Sequence, residues 1–283
     1  MQIRKLLIMW HLAMFTKEWQ TENEIWPEIA LRQLTANSDA RALADWPGLA
    51  AHRPALENQQ RLALRLAHDP GIITRADPDY PPRLGEIPQP PLVLFTAGNR
   101  DLLQTRTLAV VGSRDAGRYT KAALDNFGKA FPPDLTIVSG LASGADTMAH
   151  EMALAQGLPT IAVLANGLDR VYPAHNRQLQ AGIAAGGLLV SEYPPGTWPM
   201  PYRFVARNRI IAGLAHGVLV TEARLKSGSL ITANMGLETG REVFALPRDF
   251  DQPLGAGTNA LIQAGAKPVM SARDITDELQ YFD

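Results

Sequence analysis

Short segments that are apolar at nearly every position recur in the sequence after residue 100, and stretches with helical spacing separate them. Such segments, rich in valine, leucine and isoleucine, are typical of strands that are covered on both faces. Because they alternate with helices, they predict a doubly wound, mostly parallel sheet of the α/β class. The six segments are TLAVVGSR, LTIVSG, TIAVLANG, GLLVSEY, GVLVTEA and EVFALP.

The amino-terminal part of the chain has a different pattern. Apolar residues near its start recur at helical spacing, namely Leu6, Leu7, Trp10 and Met14. We predict a small all-helical domain over residues 1–68 and a second domain over residues 69–283. A proline-rich segment from about residue 70 is predicted to be extended, because its prolines exclude a long helix. Large aromatic residues supply much of the burial in a small domain, so four tryptophans are predicted to be core residues: Trp10, Trp19, Trp26 and Trp46.

Composition and charge narrow the classes of partner. The chain has 283 residues, of which 46% are hydrophobic and 19% charged, as in ordinary globular proteins. With a net charge of −1, a polyanion would have to bind at a local basic patch. Between residues 203 and 226 the chain has five basic residues and one acidic residue, Glu222, and this segment is the candidate patch. The alternative is that its arginines lie on several faces of the protein and do not form a patch. Its basic residues are Arg203, Arg207, Arg209, Arg224 and Lys226.

The sequence lacks the motifs that several kinds of binding and catalytic site require. The chain has no cysteine, which excludes disulfides and is compatible with a cytoplasmic protein. The six histidines show no metal-ligand spacing, and neither a GxxxxGK[ST] loop, a GxGxxG fingerprint nor a GxSxG elbow is present. No window approaches the ~20 apolar residues of a membrane span. We therefore expect no cofactor, no metal and no membrane association.

Small polar residues follow the predicted strands. In an open parallel sheet, ligands bind beyond the carboxyl ends of the strands. Glycine and serine turns there let an anion approach backbone N–H groups and the positive end of the next helix dipole. Asp146 is predicted to cap the helix through Met148 and His150. The turns contain Gly112-Ser113-Arg114, then Ser139, Gly140 and Gly144, then Asn166.

The segment TEARLKSGSLITA combines these features after one strand. Arg224 and Lys226 lie in the predicted loop, and Ser227-Gly228-Ser229 begins a helix. The apolar face of this helix is predicted to contain Leu230, Ala233 and Leu237. A lysine directly before a Ser-Gly-Ser helix start has the components of a phosphate-binding turn.

Two carboxylates also end strands. Glu192 and Glu222 could form a pair that hydrolyses a nucleotide or a sugar. The alternative, which we favour, is that they orient neighbouring arginines: Arg207, Arg209 or Arg224.

Several long motifs in fixed order resemble the DNA-processing protein A family, also called Smf, over roughly residues 70 to 270. The resemblance implies an extended Rossmann-like domain that binds single-stranded DNA in natural transformation. It also implies a homodimer that protects incoming strands, loads the RecA recombinase onto them and has no catalytic activity. The motifs are VVGSRDAGRYT, IVSGLASGADTMAHEMAL, TIAVLANGLDRVYPAHNRQL and the run from LLVSEYPPGTW to EVFALP.

The resemblance also implies which residues contact DNA. In the family, the GSR turn and the lysine before the SGSL segment form a positive pocket for DNA phosphates. The RNRIIAGL segment adds further plausible contacts. The residues in this chain are Gly112, Ser113, Arg114, Arg207, Asn208, Arg209, Lys226, Ser227, Gly228 and Ser229.

The sequence departs from the family pattern at three places. Arg248 follows EVFALP where the family usually has glycine, so the local turn is expected to differ. The amino-terminal helices resemble the family's sterile-alpha-motif-like module in position and length, without a glycine hairpin. The chain stops shortly after ARDITDELQYFD, so we expect the short form without a winged helix.

Two rival hypotheses stay open. A nucleotide or sugar-nucleotide enzyme with a Rossmann-like fold could use the carboxylates Asp146, Glu192 and Glu222, although the PGGxGT turn of such enzymes is replaced here by LKSGSL. The other is an interaction scaffold whose anion pocket is vestigial, and the sequence does not distinguish it from the DNA-binding hypothesis.

Overall fold

The computed structural model describes residues 3–15 and 53–280. The chain divides into two compact units, residues 1–95 and 96–283. The domain boundary predicted after residue 68, between an all-helical domain and a Rossmann-like domain, stays a prediction. Three of the four tryptophans predicted to be core residues lie outside the described residues, and the fourth, Trp10, is buried.

The first unit pairs two helices with a short hairpin. Helix α1 packs against α2, and the apolar residues that predicted α1 are buried as far as Trp10. The proline-rich segment contains no long helix, as predicted, but it does form two antiparallel strands in which Ile73 pairs with Leu94. The elements are α1 (Ile3–Met14), α2 (Arg53–Leu66), β1 (Ile72–Thr74), α3 (Pro82–Gly85) and β2 (Val93–Gly98), the last of which runs across the unit boundary.

The second unit contains a parallel sheet. Its seven strands follow the order β6-β5-β4-β3-β7-β8-β9, and every neighbouring pair is parallel. All six apolar segments form strands in it, so the predicted Rossmann-like sheet is confirmed. The strands are β3 (Thr107–Val111), β4 (Thr136–Ser139), β5 (Thr160–Leu164), β6 (Leu188–Ser191), β7 (Gly217–Val220), β8 (Glu242–Ala245) and β9 (Lys267–Pro268).

Helices cover both faces of this sheet. Leu219 of β7 belongs to the core that α4, α5 and α10 share. Its neighbour Val218 points to the opposite face, where it lies next to Gly236 of α8. The helices are α4 (Arg118–Gly128), α5 (Ala145–Ala155), α6 (Arg177–Gly186), α7 (Pro201–Leu214), α8 (Gly228–Glu238), α9 (Ala256–Gln263) and α10 (Arg273–Leu279), with 3-10 turns at Arg100–Gln104 and Ala174–Asn176.

The strand order creates a crevice at one edge of the sheet. The chain proceeds outward from β3 through β4, β5 and β6, and then returns to place β7 on the other side of β3. The connections that follow β3 and β7 therefore leave in opposite directions, which opens a crevice at their carboxyl ends. The GSR turn follows β3 and the KSGS turn follows β7, so the fold brings these two segments together.

A buried histidine on α5 makes stability depend on pH. His150 is fully buried, its Nδ1 lies 2.8 Å from Thr160 Oγ1, and Nε2 has no hydrogen-bond partner within the described part of the chain. Burial, and secondly the charge of Arg207, lower the pKa of His150 to about 3. Between pH 6.5 and 3 the unfolded chain thus binds a proton at His150 that the folded chain does not.

We expect the free energy of unfolding to fall as pH falls through this window, by about 1.4 kcal/mol per pH unit from His150 alone. Urea unfolding between pH 7 and 5 measures this slope. The variant His150→Gln should show a shallower slope, whereas His175→Gln, which changes an exposed histidine, should not. Equal slopes in wild type and His150→Gln would contradict the assignment.

Candidate functional site

A cleft of about 490 Å³ lies at the carboxyl ends of β3 and β7. One wall consists of the two turns that follow these strands, and the other consists of the first turns of α7 together with Tyr172. Arg207 and Asp146 line it from buried positions. Predicted site residues that line the cleft are Gly112, Ser113, Arg114, Arg207, Asn208, Ser227, Gly228 and Ser229.

The GSR turn is held by hydrogen bonds on both sides. The Ser113 N–H donates to the Glu222 carbonyl at 2.7 Å, and the Ser113 carbonyl accepts from the Ala145 N–H at 3.1 Å. The Ser113 hydroxyl accepts from the Asp115 N–H at 3.0 Å. The turn is therefore fixed to the end of β7 and to the start of α5, and Arg114 projects from it as an exposed side chain.

The Ser-Gly-Ser turn begins α8 as predicted. Ser227 is the N-cap residue, and its hydroxyl lies 3.0 Å from the Ser229 hydroxyl. The Asn208 side chain donates to the Gly228 carbonyl at 3.3 Å, which joins this turn to α7. N–H groups in the first turn of a helix have no partner within the helix, and the helix dipole makes this end positive.

The predicted apolar face of α8 is partly wrong. Ala233 is buried, but Leu237 is 51% exposed. The buried face consists instead of small residues, because α8 packs closely against α7 and the sheet. Its members are Ser229, Thr232, Ala233 and Gly236.

Exposed cations surround the mouth of the cleft. The Arg114 guanidinium lies 5.3 Å from the centre of the Phe204 ring. Arg224 Nη2 lies 3.8 Å from Asp115 Oδ2 and forms an ion pair with it. Both side chains are more than half exposed, so this ion pair stabilises the fold very little. Lys226 is exposed and directly precedes the Ser227 N-cap. These side chains can reorient toward an anion without breaking a buried contact.

Arg207 forms the floor of the cleft. Its side chain is 4% exposed, and Nη1 donates to the carbonyl oxygens of Gly140 (2.5 Å) and Val163. The absence of a side chain at Gly140 makes room for Arg207, because a Cβ atom there would force the guanidinium to move. Burial lowers the pKa of Arg207, and the nearby Asp146 carboxylate opposes this change. Arg207 thus cross-links the ends of β4 and β5 from beneath the cleft.

Asp146 does not cap its helix, contrary to the prediction. The N-cap residue of α5 is Gly144, whose φ of 76° favours glycine. The Asp146 carboxylate turns back toward the preceding loop and accepts from the Ala142 N–H at 3.3 Å. Burial raises the pKa of Asp146, and the charge of Arg207 opposes this rise.

Six predicted site residues are not among those that line the cleft: Ser139, Gly140, Gly144, Asn166, Arg209 and Lys226. The side chains of three of them bond to groups elsewhere in the fold. The buried Ser139 hydroxyl donates to the Val110 carbonyl at 2.6 Å. The buried Asn166 side chain donates to the Arg170 carbonyl at 3.0 Å. Arg209 forms an ion pair of 2.6 Å with Glu192, which is one of the arginine pairings that we favoured over a carboxylate pair. These groups fix the strand ends that support the cleft.

Glu222 pairs with an arginine that sequence reasoning missed. Its buried carboxylate accepts from the Gly117 N–H at 3.1 Å and the Thr120 hydroxyl at 2.8 Å, and it forms an ion pair with Arg248. The Arg248 guanidinium also lies 4.4 Å from the centre of the Tyr119 ring. The sequence did mark Arg248, because an arginine follows EVFALP where the family usually has glycine. This departure did not indicate that Arg248 pairs with Glu222.

Replacing Arg248 is expected to destabilise the protein. The variant Arg248→Ala leaves the Glu222 carboxylate buried without its counter-charge, so the free energy of unfolding should fall by about 3 kcal/mol in urea titrations. As a matched control, Lys267→Ala breaks the half-exposed ion pair with Glu278 and should cost less than about 1 kcal/mol. If the two variants are equally stable, Arg248 does not compensate Glu222.

The described residues contain no group of three or more histidine, cysteine, aspartate or glutamate side chains placed to hold a metal ion. Within the same part of the chain, no helix combines the length and the apolar character needed to cross a membrane.

Comparisons of sequence identify related proteins. The family model of DNA recombination-mediator protein A matches residues 71–280. The DNA processing protein DprA of Streptococcus pneumoniae is 46% identical over 205 residues, which are 72% of this chain and 73% of that protein. The DNA processing protein DprA of Bacillus subtilis is 45% identical over 202 residues, 71% and 68% of the two chains.

Solved structures of similar proteins share the fold. DNA processing protein A from Streptococcus pneumoniae superimposes with a TM-score of 0.78 at 40% identity and covers 84% of each chain. DNA processing protein A from Helicobacter pylori, whose structure was described for its single-stranded DNA binding mode, gives a TM-score of 0.67 at 30% identity. That comparison covers 75% of this chain and 96% of the other.

Proposed function

We propose a function from one premise: the chain belongs to the DNA recombination-mediator protein A family. In this proposal the cleft binds phosphates of single-stranded DNA, and the protein serves DNA processing. The observation that carries it is the meeting of the GSR turn and the Ser-Gly-Ser helix start in one cleft.

Charge and backbone geometry favour a phosphate as the ligand. Three arginines line the cleft, Arg114, Arg207 and Arg224, against the two carboxylates of Asp115 and Asp146. The start of α8 adds its positive dipole end, and helix starts of this kind bind phosphate groups. Arg114 and Lys226 are the cations we assign to direct phosphate contact, because both are exposed beside these turns.

Several residues are proposed to position this site rather than to contact DNA. Ser139, Asn166 and Arg209 hydrogen-bond to groups outside the cleft, and Gly140 accepts from the buried Arg207.

Contacts to backbone phosphates carry no sequence information, so we expect little sequence preference. The single-stranded DNA binding mode of the Helicobacter pylori relative supports a single strand as the substrate.

The finer biological role rests on the family resemblance. We propose that the protein acts in natural transformation as a cytoplasmic homodimer, protects incoming single strands and loads RecA onto them without catalysing a reaction. Stimulation of RecA ATP hydrolysis on DNA coated with a single-strand-binding protein tests the loading role. A protein that binds DNA but leaves this rate unchanged lacks that role.

The proposed DNA binding is tested by fluorescence anisotropy with labelled single-stranded and duplex oligonucleotides over a series of salt concentrations. We expect tighter binding to the single strand and a steep loss of affinity as salt rises, because phosphate contacts release counterions. Equal affinity for duplex, or no binding by folded protein, would reject the proposal.

Two of the three carboxylates that the rival enzyme hypothesis requires are engaged in ion pairs with arginines. Glu192 pairs with Arg209 and Glu222 is buried with Arg248, so Asp146 alone of these three lines the cleft. Incubation of the protein with a panel of nucleoside phosphates is expected to give no turnover. Turnover that Asp146→Asn abolishes would instead support an enzyme.

A further inference from the structure

Three aromatic rings, each in contact with an arginine or with another ring, lie at the cleft and beyond it. Arg114 lies over the Phe204 ring, and the centre of that ring is 5.2 Å from the centre of the Tyr172 ring. Two residues before Tyr172, the Arg170 guanidinium lies 4.2 Å from the centre of the Trp198 ring. We call the rings of Phe204, Tyr172 and Trp198 the aromatic path.

The aromatic path is not part of the hydrophobic core. Trp198 is 63% exposed and Tyr172 is 42% exposed. Phe204 and Tyr172 form part of the cleft wall that faces the phosphate-binding turns. Phe204 is partly buried. Large aromatic side chains lose apolar burial when they stay exposed, so the two exposed rings, together with Phe204 at the cleft, indicate a binding surface.

The positions of these residues are fixed by the backbone. The Gly167 N–H donates to the Thr197 carbonyl at 3.0 Å, and the Gly196 N–H donates to Asp169 Oδ1 at 2.8 Å. These bonds hold the segment that carries Trp198 against the segment that carries Arg170. The rings are therefore presented by a pre-organised surface, which reduces the entropy lost when a ligand binds.

We propose that unpaired bases of single-stranded DNA stack on the aromatic path while the adjoining phosphates occupy the cleft. This inference rests on the proposed function and adds the side chains that recognise bases. Aromatic rings accept any base through its π-face, and interleaved arginines follow the backbone. Duplex DNA keeps its bases stacked inside the helix, so stacking on the aromatic path would favour single strands over duplex.

The alternative occupant is a protein partner that buries the same rings. The arginines that lie over Phe204 and Trp198 favour a polyanion, because Arg114 and Arg170 would lie opposite phosphates of the strand. Continuity with the cleft favours the same ligand, since a strand that leaves the phosphate-binding turns on that side crosses Phe204 and Tyr172 first.

The first test compares oligonucleotides of equal length with and without bases. The double variant Tyr172→Ala/Trp198→Ala should bind an oligothymidine at least tenfold more weakly than wild type, and the slope of affinity against salt should not change. Wild type and the double variant should bind an abasic oligonucleotide of the same length with equal affinity. Ring-conserving variants, Tyr172→Phe and Trp198→Phe, should bind the oligothymidine like wild type.

The second test uses the fluorescence of Trp198, the one tryptophan of this sequence after Trp46. Oligothymidine should quench wild-type emission, the abasic strand should not, and Trp198→Phe should remove the quenching while retaining affinity. Tyr172→Leu separates stacking from general hydrophobic contact, because leucine restores apolar surface but no ring. We expect it to bind as weakly as Tyr172→Ala.

The outcomes distinguish this inference from the proposed function. If wild type binds oligothymidine and Arg114→Ala/Lys226→Ala does not, but Tyr172→Ala/Trp198→Ala binds normally, the proposed function holds and the aromatic path is wrong. If folded wild type binds neither oligonucleotide, both fail. Loss of oligothymidine binding together with equal loss of abasic binding would also overturn base stacking, because the rings would then only support the cleft.

Discussion

Replacing Arg114 and Lys226 together by alanine is expected to weaken single-stranded DNA binding roughly 100-fold. A hydrogen bond to a charged group contributes about 1.5–3 kcal/mol, and each 1.4 kcal/mol is tenfold in affinity. Both side chains are exposed, and neither is needed to hold the fold. The free energy of unfolding should therefore change by less than about 0.5 kcal/mol.

The salt dependence of the same variant gives a second measurement. Each phosphate contact to a single strand contributes about −0.7 to the slope of log K against log salt concentration, so losing two contacts should make the slope shallower by about 1.4. The control Lys121→Ala/Lys129→Ala removes the same net charge from exposed positions of α4 and its C-cap. Anisotropy titrations in which both double variants lose equal affinity would show a general charge effect and no specific site.

Replacing the buried Arg207 is expected to produce the largest loss of stability. The variant Arg207→Ala leaves the Asp146 carboxylate buried without a nearby positive charge, and the carbonyls of Gly140 and Val163 lose their donor. Leaving a buried charge without compensation costs about 3–5 kcal/mol, which urea unfolding measures directly. DNA binding should fall as well, because the cleft floor loses its cross-link.

A double-mutant cycle separates these contributions. If Arg207 compensates Asp146, then Arg207→Met/Asp146→Asn should be destabilised by clearly less than the sum of its two single variants. Additive effects would mean that Arg207 acts only through its hydrogen bonds to the strand ends. Should Arg207→Ala fail to fold, the milder Arg207→Lys still allows the measurement, because it retains the charge and loses the two-carbonyl geometry.

The second unit could be predicted from sequence because its strands are buried on both faces. All six apolar segments between Thr107 and Ala245 form strands, and their alternation with helices was sufficient to predict the sheet. β1, β2 and β9 were not predicted. Two of them have only two or three residues, and β2 lies within the proline-rich segment, which we predicted to be extended without assigning a strand to it.

The candidate site was only partly predictable. The position of a residue after a strand places it at the correct edge of the sheet, and this brought Ser113 and Ser227 to one cleft. Position alone does not give the direction of a side chain, so the inward orientation of Ser139 and Asn166 could not be foreseen. Partners distant in sequence were equally hidden, as the pairing of Glu222 with Arg248 shows.

That pairing has a consequence for how the sequence can diverge. Glu222 holds the Gly117 N–H behind the GSR turn, so its carboxylate is retained as long as the turn is needed, and its buried charge requires compensation. Positions 222 and 248 are thus expected to change together among descendants of this chain. A lineage with glycine at position 248 is then expected to have another cation near Tyr119 that compensates the glutamate.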